Sequence, residues 1–456
     1  MRIALAADSA LLPWARASAD PSGACLADAR TSLDNAAFAA HVERAAQHLE
    51  TAGVRAGDTL AVRLRSDVDL VATVFAGWSL GAAVLPVSPD ATRQQLLHQL
   101  ADSGAVTIVS SPELSDIALP PAQLERTGSS LEPASPEDFA LLLYGSELAQ
   151  AGSGVLLDHR ALLSVSEGIG ERLSLGATDR VVSGLDTWSG AGLLIGVLPA
   201  LSSGAELILS PGSTWEAVRR LRPSVVIVLA DQLHDTSEDW PDPQEGWRTT
   251  VAYGRALPAA VVDRFHARSG SRLLQGYGHP ESAVLSTLQD PSSPPSTLGR
   301  SLAGQRVAVM SASTHLQPHG VLGEVVLQGP ALMRGYLGRP DDTARLLRGG
   351  WLHTGDVGLI DAAGHLVLVG SLDTVILRDG DRIYPREIED VLHRHPDVAD
   401  ARVVGQPDPV LGEVPVALVV LAKEATASVA DILAYCRNHL PRPKVPDAVR
   451  VLKQLP

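Results

Sequence analysis

Lysine is almost missing from this 456-residue sequence, because positions 1 to 422 contain none and only Lys423, Lys444 and Lys453 are present. Arginine therefore carries nearly all of the positive charge, and any chemistry that needs an amine must use one of these three residues. Cysteine is also scarce, since Cys25 and Cys436 are the only two and stand far apart. We therefore expect a reducing compartment, with neither a disulfide framework nor a zinc site.

The sequence also lacks a basic stripe and a long uninterrupted apolar run. Its formal net charge is −15, which argues against nucleic acid or an anionic membrane as the main partner. The first 20 residues do not combine a basic start with an apolar core, so no signal peptide is expected. The most apolar stretch, residues 71–87, is interrupted by Gly77, Gly81 and Pro86, which favours a buried helix and strand over a membrane span. We expect a cytoplasmic protein.

Helical and strand patterns alternate in the first part of the chain. Residues 36–52 and 71–80 have apolar side chains at helical spacing, whereas residues 59–65 and 82–87 have the pattern of short strands. This alternation predicts an α/β fold, in which helices cover largely parallel sheets. From Val307 onward the strands become shorter, which predicts a small β-rich subdomain at about residues 300–370.

A compact α+β pattern follows Gly370 and separates the chain into two predicted modules. They are a large N-terminal domain, residues 1–372, and a small mobile C-terminal domain, residues 373–456. A two-stranded turn is expected at residues 374–377 and 382–384. A helix is expected from Pro385, which suits the first helical position.

Five sequence motifs then follow one another in a consistent order. They are Gly81-Ala-Ala-Val-Leu-Pro-Val-Ser-Pro, Gln275-Gly-Tyr-Gly-His-Pro-Glu281, Leu327-Gln-Gly-Pro-Ala-Leu-Met-Arg-Gly-Tyr336, Trp351-Leu-His-Thr-Gly-Asp356, and residues 370–389. Together they resemble the signature of the adenylate-forming superfamily, which includes acyl-CoA synthetases, aryl-acid ligases and adenylation domains of nonribosomal peptide synthetases. A single motif of this kind would be weak evidence, but five in order are specific.

The resemblance implies a two-step reaction. In this superfamily a carboxylate attacks the α-phosphate of ATP to give an acyl adenylate and pyrophosphate. The C-terminal domain then swings about a hinge, and a thiol or an amine displaces AMP. The implied cofactors are ATP or AMP and Mg²⁺, and the implied substrate is a small carboxylic acid. Coenzyme A or the phosphopantetheine of an acyl carrier protein would be the acceptor.

The resemblance also assigns a nucleotide site. Asp356 is expected to accept hydrogen bonds from both ribose hydroxyls, although it could instead cap the turn at Gly355. Tyr277 matches the residue that stacks on adenine, although it could equally be an ordinary buried tyrosine. The other expected nucleotide-binding residues are Gly254, Gly276, Gly278 and Ser146.

Three further residues match catalytic positions of the superfamily. Glu281 corresponds to its magnesium carboxylate, with a solvated loop acid as the alternative. Asp373 aligns with the hinge, although it could be a plain turn residue. Gly380 lies in a tight turn that approaches the thioester-forming site in the superfamily.

The expected substrate pocket contains three residues that depart from the usual pattern. Trp188 and Ser189 replace a Phe-His pair, and Arg255 replaces a glycine. A buried arginine at this position could pair with a substrate carboxylate or phosphate. A side chain turned outward to solvent is the alternative.

The phosphate loop of the superfamily reads approximately Y-T-S-G-T-T-G-x-P-K-G, and here its chemistry is altered. Leu148 and Ala149 replace the two threonines, Ser153 replaces the lysine, and Glu147 stands at a glycine position. Phosphate loops bind through backbone N–H groups, hydroxyls and a cation. A carboxylate about 4 Å from a phosphate costs roughly 4 kcal/mol near a protein surface.

Other superfamily residues are also replaced. Pro280 stands in place of a threonine, Ser371 in place of an arginine, and the sequence has no match to the usual C-terminal lysine segment. Lys444 matches a different lysine. We therefore expect a divergent acyl- or aryl-acid ligase of specialised metabolism with non-standard or impaired ATP use. The alternatives are an inactive family member that acts as a binding or scaffold subunit, and an intact ligase whose sequence is truncated.

Overall fold

The computed structural model describes residues 12–111, 139–145, 152–233, 240–255, 257–379, 381–422, 425–453 and 455. The α/β architecture expected from the sequence is confirmed, with large parallel-rich sheets first, a β-rich sheet next and a small sheet last. The α-helices in these ranges are Leu12–Ala19, Asn35–Thr51, Val68–Ser79, Arg93–Ser103, His159–Leu173, Leu198–Ser202, Thr214–Leu221, Ala259–Ser269, Pro340–Leu346, Pro385–Leu392 and Val429–His439. A π-helical turn spans Gly192–Val197, and 3₁₀ turns span Ala230–Leu233, Pro280–Ser282 and Arg442–Lys444.

The largest sheet has nine strands, and its centre is parallel. From one edge to the other the strands are Arg300–Ser301, Thr287–Leu288, Arg272–Tyr277, Thr249–Tyr253, Val225–Leu229, Arg180–Ser183, Glu206–Leu209, Ala24–Ala27 and Ser32–Asp34. The six strands from Arg272–Tyr277 to Ala24–Ala27 are parallel. Val225–Leu229 has the continuous apolar sequence that a strand covered on both faces requires.

A six-stranded sheet packs beside it in the same large domain. Its strands, in order, are Gly335–Tyr336, Val155–Asp158, Phe139–Leu143, Ala83–Pro86, Thr59–Arg63 and Thr107–Ser110. The apolar helix Val68–Ser79 packs against strands Thr59–Arg63 and Ala83–Pro86 of this sheet and against helix Asn35–Thr51, and ten of its twelve residues are buried. A helix that is apolar on every face is only stable in such a position. One continuous apolar core therefore joins both sheets.

The β-rich subdomain is an antiparallel sheet, as expected. It contains Arg306–Met310, Gly323–Gln328, Trp351–Ile360 and Leu347–Arg348, with Leu366–Ser371 paired to the long central strand Trp351–Ile360. This pairing places Asp356 opposite Ser371, so the end of the subdomain directly adjoins the candidate nucleotide residue.

The C-terminal sheet has its own apolar core. Its strands are Asp381–Ile383, Ile376–Arg378, Gly412–Leu421, Val398–Asp408 and Ala448–Leu452, packed against Pro385–Leu392 and Val429–His439. The two-stranded turn is shorter than expected, because Arg378 pairs directly with Asp381. Asp379 in this turn has φ +48°, a left-handed conformation that two-residue hairpin loops require and that Asp tolerates.

None of the described helices is long and apolar enough to cross a lipid bilayer. Two expectations stay predictions: the boundary between a domain of residues 1–372 and one of residues 373–456, and the mobility of the second domain.

We predict that the link between the two modules is a proteolytic site. Leu372, Asp373 and Thr374 are exposed and lie between strands that belong to separate sheets. Limited digestion with thermolysin, which cleaves before large apolar residues, should therefore release a stable C-terminal fragment that begins within residues 371–375. Mass spectrometry of the fragments measures this. Leu372→Ser is the matched control and should slow the release, whereas digestion that never yields this fragment would contradict the two-module organisation.

Candidate active site

A crevice forms where the parallel strands of the largest sheet end. Strands Arg180–Ser183, Val225–Leu229, Thr249–Tyr253 and Arg272–Tyr277 all run in one direction, so the residues that follow them meet at one edge. Open α/β sheets bind ligands at such an edge. Trp188, Gly254 and Glu281 all come from these connections. The β-rich sheet adds Asp356, which contacts Tyr277 at the end of one of these strands.

Asp356 is held by two aromatic residues of the neighbouring motif. The hydroxyl of Tyr277 donates to Oδ2 of Asp356 at 2.7 Å, and Nε2 of His279 lies 3.0 Å from the same oxygen. A carboxylate oxygen only accepts, so Nε2 of His279 carries the proton. Nε2 also lies 3.0 Å from the Tyr277 hydroxyl oxygen, and the two rings meet edge to face.

Burial keeps the Tyr277 hydroxyl protonated. Desolvation raises the pKa of Tyr277 well above its ordinary value, and the negative charge of Asp356 raises it further. The phenol therefore remains a hydrogen-bond donor to Asp356 throughout the physiological range.

The backbone before Asp356 is fixed by a second carboxylate. Glu324 accepts from the backbone N–H of Gly355 at 3.1 Å through Oε1, and its Oε2 lies 2.7 Å from Nδ1 of buried His353. The N–H of Asp356 itself donates to Thr354 Oγ1. Gly355 has φ +72°, which explains the glycine in this turn. The side chain of Asp356 projects toward Tyr277 and His279, and its role in binding ribose stays a prediction.

Glu281 is fully buried rather than a solvated loop acid. Its Oε1 accepts from the hydroxyl of Tyr336 at 2.6 Å, and its backbone carbonyl accepts from Met333. Tyr336 pairs with Val155, the first residue of the strand that follows the altered phosphate loop. These contacts place Glu281 beside the strand Val155–Asp158, which follows the phosphate-loop segment.

Glycine is needed for different structural reasons at the three glycine positions expected to bind the nucleotide. A Cβ on Gly276 would lie 2.3 Å from the carbonyl oxygen of Thr287, and a Cβ on Gly278 would lie 2.7 Å from the backbone of Leu285. Close approach of the protein's own chain therefore requires both glycines. Gly254 has φ +112° and open space beside it, as a ligand-facing loop would need.

The helix Arg93–Ser103 holds both described ends of the phosphate-loop segment. At one end the hydroxyl of Tyr144 donates to Asp102 at 2.6 Å. At the other end Nε2 of His98 donates to the carbonyl oxygen of Gly152 at 2.9 Å. Ser153 is buried. Ser146 and Glu147 lie outside the described residues, so their expected roles stay predictions.

Trp188 and Ser189 occupy one turn at the crevice. Trp188 lines an open cavity of about 910 Å³, together with Ser66 and Asp186. The hydroxyl of Ser189 donates to the carbonyl oxygen of Asp186 and accepts from the N–H of Gly192. Ser189 therefore stabilises the turn that presents Trp188, and a direct contact between Ser189 and a substrate stays a prediction.

Arg255 is half-exposed and pairs with carboxylates on both sides of the module boundary. Its Nε donates to Asp231 at 2.9 Å, and its Nη1 lies 3.7 Å from Oδ2 of Asp400 in the C-terminal sheet. This placement corresponds to the outward alternative considered for the arginine. A role of Arg255 in binding a substrate stays a prediction.

The candidate hinge adjoins the Asp356 turn. The N–H of Leu372 donates to the carbonyl oxygen of Gly355 at 2.7 Å, and the exposed Asp373 follows directly. Gly380 lies outside the described residues. The catalytic roles of Asp373 and Gly380 stay predictions.

The residues present are compatible with a nucleotide-bound magnesium ion. No group of three or more His, Cys, Asp or Glu side chains that could hold a metal is found among the described residues. Mg²⁺ does not require such a cage, because it is usually bound by one or two carboxylates together with substrate phosphates. Glu281 could supply such a carboxylate, and this role stays a prediction.

Comparison with known proteins assigns the chain to a family. Residues 14–337 match the family described as AMP-binding enzyme, and residues 387–456 match the AMP-binding enzyme C-terminal domain. This chain belongs to the AMP-binding enzyme family. A feruloyl-CoA synthase from Amycolatopsis is 30% identical over 97% of this AMP-binding enzyme and 95% of the relative. A 2-succinylbenzoate–CoA ligase from Geobacillus kaustophilus is 28% identical over 90% of the chain and 87% of its own length.

Solved structures agree with this assignment. The amide bond synthetase McbA from Marinactinospora thermotolerans has a TM-score of 0.86 at 26% identity, covering 98% of this AMP-binding enzyme and 96% of the other chain. ATP-bound MatB from Rhodopseudomonas palustris has a TM-score of 0.89 at 22% identity, with 98% and 95% coverage, which supports the fold.

Sequence reasoning missed several residues that build the site. His279 occupies the variable position of its motif, so the resemblance assigned it no role. Glu324 and Tyr336 lie in strands far from Asp356 and Glu281 in sequence, and only the sheet pairing brings them together. The buried acid–partner contacts could not be inferred from spacing.

We predict that Tyr277 resists ionisation in the folded protein. The raised pKa means that the unfolded tyrosine loses its proton near pH 10 while the folded one keeps it, so stability should fall as pH rises above about 10. Tyrosinate absorbance measured during an alkaline titration should show fewer than all six tyrosines ionising before unfolding. Tyr277→Phe should remove one of the late-ionising groups, and loss of an early-ionising group instead would contradict the placement.

Proposed function

We propose that this AMP-binding enzyme is a divergent acyl- or aryl-acid ligase of specialised metabolism, which binds an adenylate and acts through an acyl adenylate or a thioester. Its use of the ATP polyphosphate is impaired or non-standard. The full-length similarity to curated CoA ligases supports a carboxylic acid as the substrate and coenzyme A as an acceptor. The similarity to an amide bond synthetase keeps an amine acceptor open. A carrier-protein phosphopantetheine is the third acceptor that the superfamily chemistry admits.

The arrangement around Asp356 carries this proposal. Asp356 is a preorganised hydrogen-bond acceptor, because Tyr277 and His279 fix its Oδ2 and leave the side chain 18% exposed. Charge-assisted hydrogen bonds to a fixed carboxylate are suited to ribose hydroxyls. Tyr277 ends one parallel strand, and Gly254 follows the neighbouring strand Thr249–Tyr253 with open space beside its Cβ position. A base and a ribose could bind at this edge of the sheet.

The phosphate-loop segment, in contrast, disfavours a nucleotide that carries β- and γ-phosphates. Asp102 holds Tyr144 and His98 holds Gly152, so the two described ends of the loop are fixed in position. Between these two ends the sequence has Glu147, whose negative charge repels β- and γ-phosphates. Directly after Gly152, Ser153 replaces the lysine of the superfamily. An adenylate without the terminal phosphates avoids this repulsion.

An inactive binding subunit is the second candidate, and the same altered loop favours it. Retention of buried Glu281 with its Tyr336 partner supports residual catalysis, because a buried carboxylate is costly to keep without a role. The two candidates differ in whether a supplied acyl adenylate is converted to a thioester or an amide.

We predict that AMP or an acyl-sulfamoyl-adenosine binds at least as tightly as ATP. The ribose and base site serves all three ligands, whereas Glu147 opposes only the one with β- and γ-phosphates. Isothermal titration calorimetry at fixed magnesium measures the three dissociation constants. Glu147→Gly should selectively tighten ATP binding, by roughly tenfold or more if the repulsion approaches the surface estimate.

Two control variants separate charge from backbone effects in this experiment. Glu147→Gln keeps the side-chain size without the charge and should give most of the gain for ATP. Asp356→Ala should weaken all three ligands together. ATP that binds more tightly than AMP, with no change in Glu147→Gly, would contradict the interpretation of the loop.

We also predict that a broad panel of acids will not support family-like ATP–pyrophosphate exchange. Loss of one preorganised charge-stabilising group typically lowers the rate by about 10²–10³, and Ser153 with Glu147 represents at least one such loss. Exchange of radiolabelled pyrophosphate into ATP measures the step. Turnover near the roughly 10 s⁻¹ of an ordinary enzyme would overturn the claim of impaired ATP use.

A further inference from the structure

We propose that His279 determines how this enzyme recognises the ribose, because together with Tyr277 it occupies one oxygen of Asp356 and leaves only the other oxygen for the nucleotide. The enzyme should then distinguish one ribose hydroxyl strongly and the other weakly. This inference rests on the proposed adenylate site and adds a specificity to it.

The hydrogen-bonding capacity of Asp356 sets this limit. Each carboxylate oxygen offers about two acceptor positions. The Tyr277 hydroxyl donates to Oδ2 at 2.7 Å, and Nε2 of His279 lies 3.0 Å from the same atom. The Tyr277 hydroxyl therefore takes one acceptor position of Oδ2, and the single N–H of His279, shared between Oδ2 and the Tyr277 hydroxyl oxygen at 3.0 Å each, covers the other. A ribose hydroxyl could bind to Oδ2 only by displacing one of these donors.

Neither donor is free to leave without a cost. Tyr277 is only 7% exposed, so its hydroxyl has no ready access to water if it leaves Asp356. The side chain of His279 is 14% exposed, and its ring packs edge to face against Tyr277 with 5.2 Å between centroids. A buried donor that loses its acceptor is destabilising, so the two donors should stay on Oδ2 when a nucleotide binds.

Oδ1 of Asp356 has the opposite environment. No hydrogen bond to this oxygen is found from the described part of the chain, and the side chain keeps 18% of its surface exposed. The N–H bonds of Gly355 to Glu324 and of Asp356 to Thr354 fix the backbone. Rotation of the carboxylate to exchange its oxygens would break the contacts of Oδ2 with Tyr277 and His279. Oδ1 is therefore the open oxygen. Because bidentate recognition places one donor on each carboxylate oxygen, only one ribose hydroxyl can form its full hydrogen bond here, and the other would have to share Oδ1.

Binding of deoxynucleotides tests this inference directly. A hydrogen bond to a charged acceptor typically changes affinity by about tenfold or more. In calorimetric titrations of the unmodified protein, one of 2′-deoxy-AMP and 3′-deoxy-AMP should bind within about threefold of AMP. The other should bind about tenfold more weakly or worse. A bidentate site would instead lose affinity for both.

Variants at the two donors make the test specific. Tyr277→Phe combined with His279→Leu frees Oδ2, so both deoxynucleotides should then bind about tenfold more weakly than AMP. His279→Gln keeps an N–H donor of similar reach and should retain the pattern of the unmodified protein. A merely structural role of His279 would change all three affinities together and leave their ratios unchanged.

The outcomes separate this inference from the proposed function. Tight AMP binding with about tenfold losses for both deoxynucleotides in the unmodified protein would overturn the single-oxygen inference alone. Ratios that the double variant does not change would overturn it as well. Absence of AMP binding, with a folded protein confirmed by circular dichroism, would overturn the proposed adenylate site and this inference with it.

Discussion

The hydrogen bonds at Asp356 join three parts of the structure that are distant in sequence. Tyr277 ends a parallel strand of the largest sheet, Asp356 lies in the β-rich sheet, and the backbone at Gly355 accepts from the start of the candidate hinge. A partly buried carboxylate is stable only if it is well hydrogen-bonded. These few donors therefore fix the geometry that the Asp356 carboxylate offers to a ligand.

The residues expected to bind ribose and those expected to bind polyphosphate lie on different structural elements. Asp356 is supported by Glu324 and Tyr277, whereas the phosphate-loop segment is anchored separately to one helix through His98 and Asp102. No described hydrogen bond joins the two sets of residues named here. Because different hydrogen bonds hold the two sets of residues, substitutions in the phosphate-loop segment need not disturb the hydrogen bonds of Asp356. The sequence agrees with this, since the loop residues are replaced and Asp356 is kept.

Much of the fold could be predicted from the sequence. The apolar run at residues 82–87 predicts a strand, because strands covered on both faces have few alternatives, and the structure has the strand Ala83–Pro86 there. The sequence predicts a longer loop at Asp379 than the structure has. The length of a hairpin loop is set by the pairing register of its strands, which composition does not show. Contacts between residues distant in sequence, such as Tyr336 with Glu281 and Glu324 with Gly355, could not be predicted from the sequence, since they leave no periodic signal.

The ion pair between Arg255 and Asp400 has a consequence for how the C-terminal module is held. Its atoms are 3.7 Å apart, and the arginine side chain is 42% exposed, so water competes for both charges. Exposed pairs of this kind contribute only about 0–1 kcal/mol, and salt weakens them further. Arg255 also has Asp231 as an alternative partner at 2.9 Å, so its charge stays compensated if Asp400 moves away. The pair with Asp400 therefore adds little free energy to the contact between the two predicted modules, and its loss would leave no unpaired charge on Arg255.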